Sequence, residues 1–354
     1  RSFVQVLLAA AVGYACLALV EVRLSPQLNY WVYGYFPHSF IQHIRGGGYR
    51  PLVFLSHGLV LAIFFTTVLV ATAVLVRHEI KDRKWPIIAI LFLIGTQVLS
   101  KSFGAILITL VLLTLILVLN RRGLLLAAGL IAGSILVFPM LRAANMVPVH
   151  FTVSALEEIA PQRAGSFDYR LQHEDRLLER ARQRPVFGWG GWGRNLLITE
   201  VGRNTSVSDG LWIIYFGQHG WVGYIARFGL LTWGIIWLVA RRRTGEIDTP
   251  TIALALALAA NLVDLIPNTG ISPITWMMAG ALAGRLELAS SPLEEDEAAS
   301  GNGRRKQRLR TRSFGPAPPR GELPYARDLR SEARRTPTPE RARRSYRRDW
   351  SERT

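Results

Sequence analysis

The sequence predicts an all-α fold, a polytopic transmembrane helical bundle with a long helical outer loop and a disordered basic tail. Half of the 354 residues are hydrophobic, and most of these lie in runs of transmembrane length. The formal net charge is +17, and the excess lies between the runs or after the last one. Membrane topology is the simplest explanation of such a distribution. The sequence begins with Arg1 rather than Met, so we expect further residues, with additional helices among them, upstream.

Eight apolar segments are candidate membrane spans, because about 20 apolar residues cross a bilayer as one helix. The candidates are residues 3–22, 52–76, 86–100, 103–119, 124–141, 211–240, 250–266 and 273–289. The segment at 211–240 is long and interrupted by glycines, so part of it is expected to lie at the membrane surface. Residues 1–289 therefore form one predicted transmembrane domain.

Short basic loops predict the orientation of this domain, since such loops remain in the cytoplasm. The basic loops are RHEIKDRKW (77–85), NRRG (120–123) and RRR (241–243). A chain that starts inside and crosses eight times leaves all three in the cytoplasm. The long connections 23–51 and 142–210 then face outward.

Residues 290–354 form a tail with few apolar residues and many arginines. Such a composition cannot build a core, so disorder is predicted. On the cytoplasmic side a basic tail meets anionic lipid, and binding to nucleic acid or to an acidic partner is the alternative.

The outer loop contains SFDYRLQHEDRLLERARQRP, a pattern typical of one helix. Ser166 is a suitable N-cap and Pro185 ends the helix. Arg170 and Glu174 are spaced to form an ion pair at i, i+4. The plain interpretation is a surface helix with several ion pairs.

The stretch RPVFGWGGWGRN (184–195) follows this helix. Its glycines resemble a dinucleotide-binding loop, but that loop needs a preceding strand within a βαβ unit, and here a helix precedes it. A tight structural turn, or backbone amides placed close to a ligand, are the remaining interpretations. Trp189 and Trp192 suit either the membrane–water boundary or stacking on sugar.

Charged residues recur at the predicted outer ends of the spans, where they are often functional. Those that approach the outer face are Arg50, Lys101, Asp209 and Asp264, and the helix with Arg170 joins them. Arginine and lysine bind phosphate oxygens, and a nearby carboxylate can accept the proton of an attacking hydroxyl. These parts suit a sugar donor linked to a lipid diphosphate. The single cysteine rules out an intrachain disulfide, and no spacing typical of metal ligands stands out.

The chain resembles the O-antigen ligase and O-antigen polymerase superfamily of bacterial membrane proteins. The resemblance covers about residues 40–240 and lies in Arg170, then RPVFGWGGWG, then SVSDGLWIIYFGQHGWVGY. In the family an arginine precedes a P-x-x-G-x-G turn, and a polar site then opens a span with G-x-x-G. The matching residues here are Pro185, Gly188, Gly190, Gly217, Gly220 and Gly223. GGGYRP with His57, and LSKSFGA with Lys101, look like two earlier family signatures.

The resemblance implies an α-helical enzyme of the inner membrane that transfers glycans from undecaprenyl diphosphate without a metal or other cofactor. It places the loop 142–210 in the periplasm. Arg50, Lys101 and Arg170 would then bind the diphosphate, with Trp189 and Trp192 against substrate. Many members carry His-Asn where this chain has Ser208-Asp209, so Asp209 becomes the candidate catalytic base.

We therefore expect a metal-independent glycosyltransferase, a polymerase of surface polysaccharide or exopolysaccharide. Its partners would be a polyprenyl-diphosphate-linked glycan, a glycan or lipid acceptor, the bilayer and other polysaccharide-assembly proteins, with no nucleic acid. A ligase that transfers glycan to lipid A core or to another acceptor is the first alternative. A non-enzymatic transporter is the second, and it predicts internal repeats around a midplane site.

Overall fold

The computed structural model describes residues 1–148, 153–154, 157–158, 161–199, 204–241 and 247–290. These residues are mostly helical. The α-helices are α1 (Ser2–Leu24), α2 (Leu28–Tyr33), α3 (Gly58–His78), α4 (Lys84–Leu99), α5 (Phe103–Val118), α6 (Arg121–Ala143), α7 (Pro161–Arg182), α8 (Leu211–Arg241), α9 (Thr249–Asp264) and α10 (Pro273–Ser290). Between α2 and α3 lie a 3₁₀ turn (Phe40–His43) and an antiparallel hairpin of β1 (Ile44–Arg45) and β2 (Gly48–Tyr49). The predicted disordered tail lies outside the described residues from residue 291 onward.

Each of the eight predicted spans overlaps a helix, which confirms the all-α prediction. Four of these helices, α1, α3, α6 and α8, are long and apolar enough to cross a membrane. Helices α4, α5 and α9 are apolar but shorter. The protein is therefore helical, and the length and composition of four of its helices are compatible with a membrane protein.

Helix α3 lies at the centre of the bundle, against α1, α4, α5 and α9. Buried hydroxyl and amide groups join the central helices. Asn261 Nδ2 donates to Thr67 Oγ1 at 2.7 Å, and Gln97 Nε2 donates to Thr66 Oγ1 at 3.0 Å. Such bonds hold helices together where the surroundings offer no water.

The predicted alternation of helix direction agrees with the contacts at the two ends of the bundle. At one end Arg1 pairs with Glu79 at 3.8 Å, and Arg121 donates to Thr249 at 3.5 Å. At the other end the backbone N–H of Leu211 donates to the carbonyl of Leu265 at 3.0 Å. The basic corners therefore lie opposite the end that carries the first residues of α8.

The second predicted span begins too early, because α3 starts at Gly58 rather than near residue 52. The N–H groups of Leu52 and Val53 instead donate to Glu21 Oε2, at 2.8 and 2.7 Å. His57 is the N-cap of α3, and its Nδ1 accepts from the N–H of Leu59 at 3.0 Å. His57 therefore caps the start of α3, whereas a span beginning at residue 52 would place it one to two turns inside the helix.

Candidate functional site

Helix α7 positions the predicted outer arginine. It begins at Pro161, five residues before the predicted cap at Ser166, so that N-cap prediction is wrong. Its buried face contains Leu177, Leu178 and Ala181, each less than 5% exposed. This face packs against α8 and thereby fixes the direction in which the remaining side chains of α7 project.

Arg170 and Asp209 form an ion pair, with Arg170 Nε 3.0 Å from Asp209 Oδ2. Asp209 lies just before α8, so the pair connects α7 to the start of α8. Both side chains remain partly exposed, at 42% and 38%. Two of the predicted site residues, far apart in sequence, are thus brought together where a ligand can reach them.

The predicted ion pair between Arg170 and Glu174 is wrong, because Glu174 faces the bundle instead. Glu174 Oε2 accepts from Trp212 Nε1 at 3.1 Å, and Glu174 Oε1 accepts from Arg142 Nε at 3.4 Å. Arg142 also pairs with Asp175 at 2.5 Å. A buried arginine at the end of α6 attracts Glu174 more strongly than an exposed arginine on its own helix.

Glu174 and the Arg170–Asp209 pair line one cleft. Its lining residues are Phe167, Arg170, Leu171, Glu174, Val207, Asp209, Gly210, Ile213 and Pro267. The cavity volume of about 40 Å³ has room for a few water molecules. A charged group of a ligand fits this space, while the remainder of a large substrate would lie outside it.

The environment of Glu174 changes its ionisation. Burial raises the pKa of this carboxyl to about 7, although the Trp212 hydrogen bond and the Arg142 charge oppose the shift. A carboxyl that titrates near neutral pH inside a cleft is typical of functional sites. Sequence reasoning considered Glu174 only as a partner of Arg170. The available signal was a carboxylate on the apolar face, three and four residues before Leu177 and Leu178.

The glycine-rich stretch docks on a break in α8. Gly220 has φ 60° and ψ −159°, which interrupts the helix. The N–H groups of Trp189 and Gly190 donate to the carbonyls of Gly217 and Gln218 at 2.9 and 2.7 Å. In return, the N–H groups of residues 221 and 222 donate to the carbonyls of residues 185 and 186, at 2.8 and 3.1 Å. The stretch is a structural turn whose backbone replaces hydrogen bonds that α8 loses at its break.

The two tryptophans of the turn differ in their surroundings. Trp189 Nε1 donates to the carbonyl of Arg180 at 2.8 Å, and the guanidinium groups of Arg180 and Arg184 lie 4.1 and 4.5 Å from its ring centroid. Trp192 is 97% exposed. Trp189 therefore holds the turn against α7, whereas Trp192 is almost fully exposed.

Arg50 and Lys101 form a second cluster. Arg50 is 2% exposed and its Nη2 donates to the carbonyl of Lys101 at 3.0 Å. Lys101 Nζ donates in turn to the carbonyl of Arg45 at 2.7 Å. The two early sequence signatures therefore meet, with both cations bonded to backbone carbonyls at a corner of the bundle.

Three histidines lie beside this corner. The ring centroid of His57 is 4.6 Å from that of His38 and 5.0 Å from that of His43. Burial, the neighbouring histidines and then Arg50 and Arg45 lower the pKa of His57 to about 3. Across the described residues, no group of three or more His, Cys, Asp or Glu side chains could hold a metal ion.

The segment after α9 extends from the cleft to the first turn of α3. Pro267 lines the cleft, and a Cβ on Gly270 would lie 3.2 Å from Val60 in the first turn of α3. Asp264 at the end of α9 is buried and accepts from Asn268 at 2.9 Å, so it braces this segment. Arg50 also lies against Gly58 at the start of α3, so both clusters lie at the end of the bundle where α3 begins and α9 ends.

Comparison with family models, with curated proteins and with solved structures found no match to this chain. The class defined by the fold is that of a helical protein with four helices long and apolar enough to cross a membrane. The function rests on the arrangement of the site.

Proposed function

We propose that this chain is a glycan polymerase of the bacterial inner membrane. It transfers oligosaccharide from a polyprenyl-diphosphate donor to a growing polysaccharide at the periplasmic face. The observation that carries the proposal is the partly exposed Arg170–Asp209 pair in a cleft at the end of apolar helices. A donor with a lipid tail and a charged headgroup reaches such a cleft from within the bilayer.

In this proposal Arg170 binds the diphosphate, because a guanidinium matches phosphate oxygens in geometry and charge. Asp209 accepts the proton of the acceptor hydroxyl, whose oxygen bonds to the anomeric carbon of the donor sugar. The bond from that carbon to the diphosphate oxygen breaks, and its electron pair leaves with the diphosphate. Arg170 offsets the charge that develops on the leaving group.

Arg50 and Lys101 have a supporting role. Their bonds to backbone carbonyls hold the corner between α4 and α5 against the hairpin. Their positive charges favour an anionic headgroup at this end of the bundle. Trp192, which is almost fully exposed, is the candidate for contact with donor lipid or sugar.

The test is deletion of the gene followed by complementation with wild type, Asp209→Asn or Arg170→Ala. Each variant is expected to shorten or abolish the polysaccharide, and turnover should fall roughly 100-fold or more when the base is removed. The lipid-linked oligosaccharide should accumulate in the membrane. Matched controls on the exposed side of α7 are Glu179→Gln and Arg176→Ala, which should leave the polymer unchanged.

Polymer of normal length and amount from Asp209→Asn would remove Asp209 from the mechanism. If deletion leaves polymer length normal but prevents attachment of the polymer to an acceptor, the result would favour a ligase over a polymerase. A deletion that leaves both length and attachment normal would refute a role in glycan transfer.

A further inference from the structure

The charges around the cleft do not balance. Arg170 is paired with Asp209, while Arg142 serves both Glu174 and Asp175. With all groups ionised, this cluster has two cations and three carboxylates and a net charge of −1. A diphosphate that approaches Arg170 would enter a site that is already negative, and like charges in such proximity oppose binding.

Glu174 is the carboxyl best suited to neutralisation. The side chains of Asp209 and Asp175 are 38% and 53% exposed, so water stabilises their ionised forms. The side chain of Glu174 is only 14% exposed, and burial penalises its charged form. A neutral acid in this position still accepts from Trp212 and Arg142, so its protonation leaves the surrounding contacts in place.

We propose that Glu174 takes up a proton when the donor diphosphate binds at Arg170 and releases it when the polyprenyl diphosphate leaves. The inference rests on the proposed function, because the ligand is the diphosphate of that donor. The proton comes from solvent, and no covalent bond other than O–H changes at Glu174. The neutral carboxyl removes a repulsion and presents an O–H donor to the anion.

The groups that face Glu174 come from three sides. Arg142 projects from α6, while Asp175, Arg170 and the buried His173 lie on α7. Asp209 lies before α8, and Trp212 of α8 contributes an uncharged N–H. Burial raises the pKa of Glu174 to about 7 in the empty cleft although Trp212 and Arg142 oppose the shift, and an anionic ligand raises it further. Glu174 should therefore take up a proton when the anion binds at neutral or mildly alkaline pH.

The experiment measures binding of farnesyl diphosphate, a short polyprenyl diphosphate, to the full chain in detergent. Isothermal titration calorimetry at about pH 8, in two buffers of different ionisation enthalpy, counts the protons taken up on binding. Wild type is expected to take up close to one more proton than Glu174→Gln. Above pH 7 the affinity of wild type should fall by about tenfold per pH unit relative to that variant.

Glu179→Gln is the matched control, since Glu179 is exposed on the same helix and should behave as wild type. Glu174→Asp keeps a titratable group and should retain proton uptake. Size-exclusion profiles and melting curves establish that each variant is folded. If Glu174→Gln has the same proton uptake and pH dependence as wild type, the inference is overturned.

The outcomes separate this inference from the proposed function. Suppose that Arg170→Ala abolishes binding but that proton uptake does not depend on Glu174. This result would refute the role of Glu174 and support the diphosphate site at Arg170. Failure of wild type to bind farnesyl diphosphate refutes both.

Discussion

Gly188 and Gly220 approach so closely that a Cβ on Gly188 would lie 2.6 Å from the backbone nitrogen of Gly220. Both residues have positive φ, at 68° and 60°. The contact joins the turn after α7 to the break in α8. The atoms that a Cβ on Gly188 would meet belong to the backbone, so they cannot move aside as a flexible side chain could.

Gly188→Ala and Gly220→Ala should each destabilise the protein by about 2 kcal/mol or more. Each adds a methyl group against backbone atoms and forces an L residue into a left-handed conformation. Melting curves of the purified protein in detergent measure the effect. Gly191→Ala is the control, because a Cβ there meets nothing within 4 Å. Equal melting temperatures for Gly188→Ala and Gly191→Ala would contradict the described docking.

Arg170→Ala should alter stability by less than about 1 kcal/mol, because the ion pair with Asp209 is well exposed to solvent. The same change should abolish polymer formation if Arg170 binds the donor. Melting curves and polysaccharide length, measured on one set of membranes, separate the two effects. A large loss of stability would mean that the pair has a structural role.

Arg142→Ala should destabilise the protein more at pH 8 than at pH 6, with a difference of about 1.4 kcal/mol, which is the cost of keeping Glu174 protonated one pH unit above its pKa. Glu174, whose pKa is raised to about 7, is largely ionised at the higher pH and then loses its cation in a buried site. At the lower pH it is protonated and needs no cation. Chemical denaturation at both pH values measures the difference. The double variant Arg142→Ala with Glu174→Gln should recover stability at pH 8, and no recovery would contradict this account.

His57→Asn should reduce the sensitivity of the protein to acid. The pKa of His57 is lowered from 6.5 to about 3, so the unfolded chain binds a proton in this window that the folded protein does not. The free energy of unfolding is therefore highest above pH 6.5 and falls on acidification, by about 1–2 kcal/mol at pH 5. Asparagine keeps an N-cap oxygen for Leu59 but does not titrate.

Melting curves between pH 7 and pH 5 test this prediction. His219→Asn is the control, because it removes an exposed histidine on α8 that lies outside this cluster. A wild-type melting temperature that stays constant over this range would contradict the role of His57.

The helices were predictable because long apolar runs are strong signals, whereas the start of α3 was not. Residues 52–57 are apolar enough for a span, but their backbone is held by Glu21, which lies in a distant part of the sequence. No local pattern reveals such a partner.

The sequence placed Arg170 near Asp209, but it did not indicate that Glu174 shares their cleft or that Arg50 and Lys101 form a second cluster. Residue types and positions indicated that Arg170 and Asp209 belong together, and the ion pair agrees. The i, i+4 rule favoured Glu174 as the partner of Arg170, yet local spacing carries no information about Arg142 on another helix. The opposing helix decides which face of α7 is buried, and that choice requires the tertiary structure.

The break at Gly220 also has a consequence for biogenesis. An unbroken α8 would be about 46 Å long, whereas residues 221–241 alone span about 30 Å, the thickness of the hydrocarbon core. The four backbone groups freed by the break need partners before lipid surrounds them. Those partners lie at residues 185–190, which a ribosome completes before it reaches α8. We therefore expect the turn at residues 185–190 to act as a template against which α8 forms.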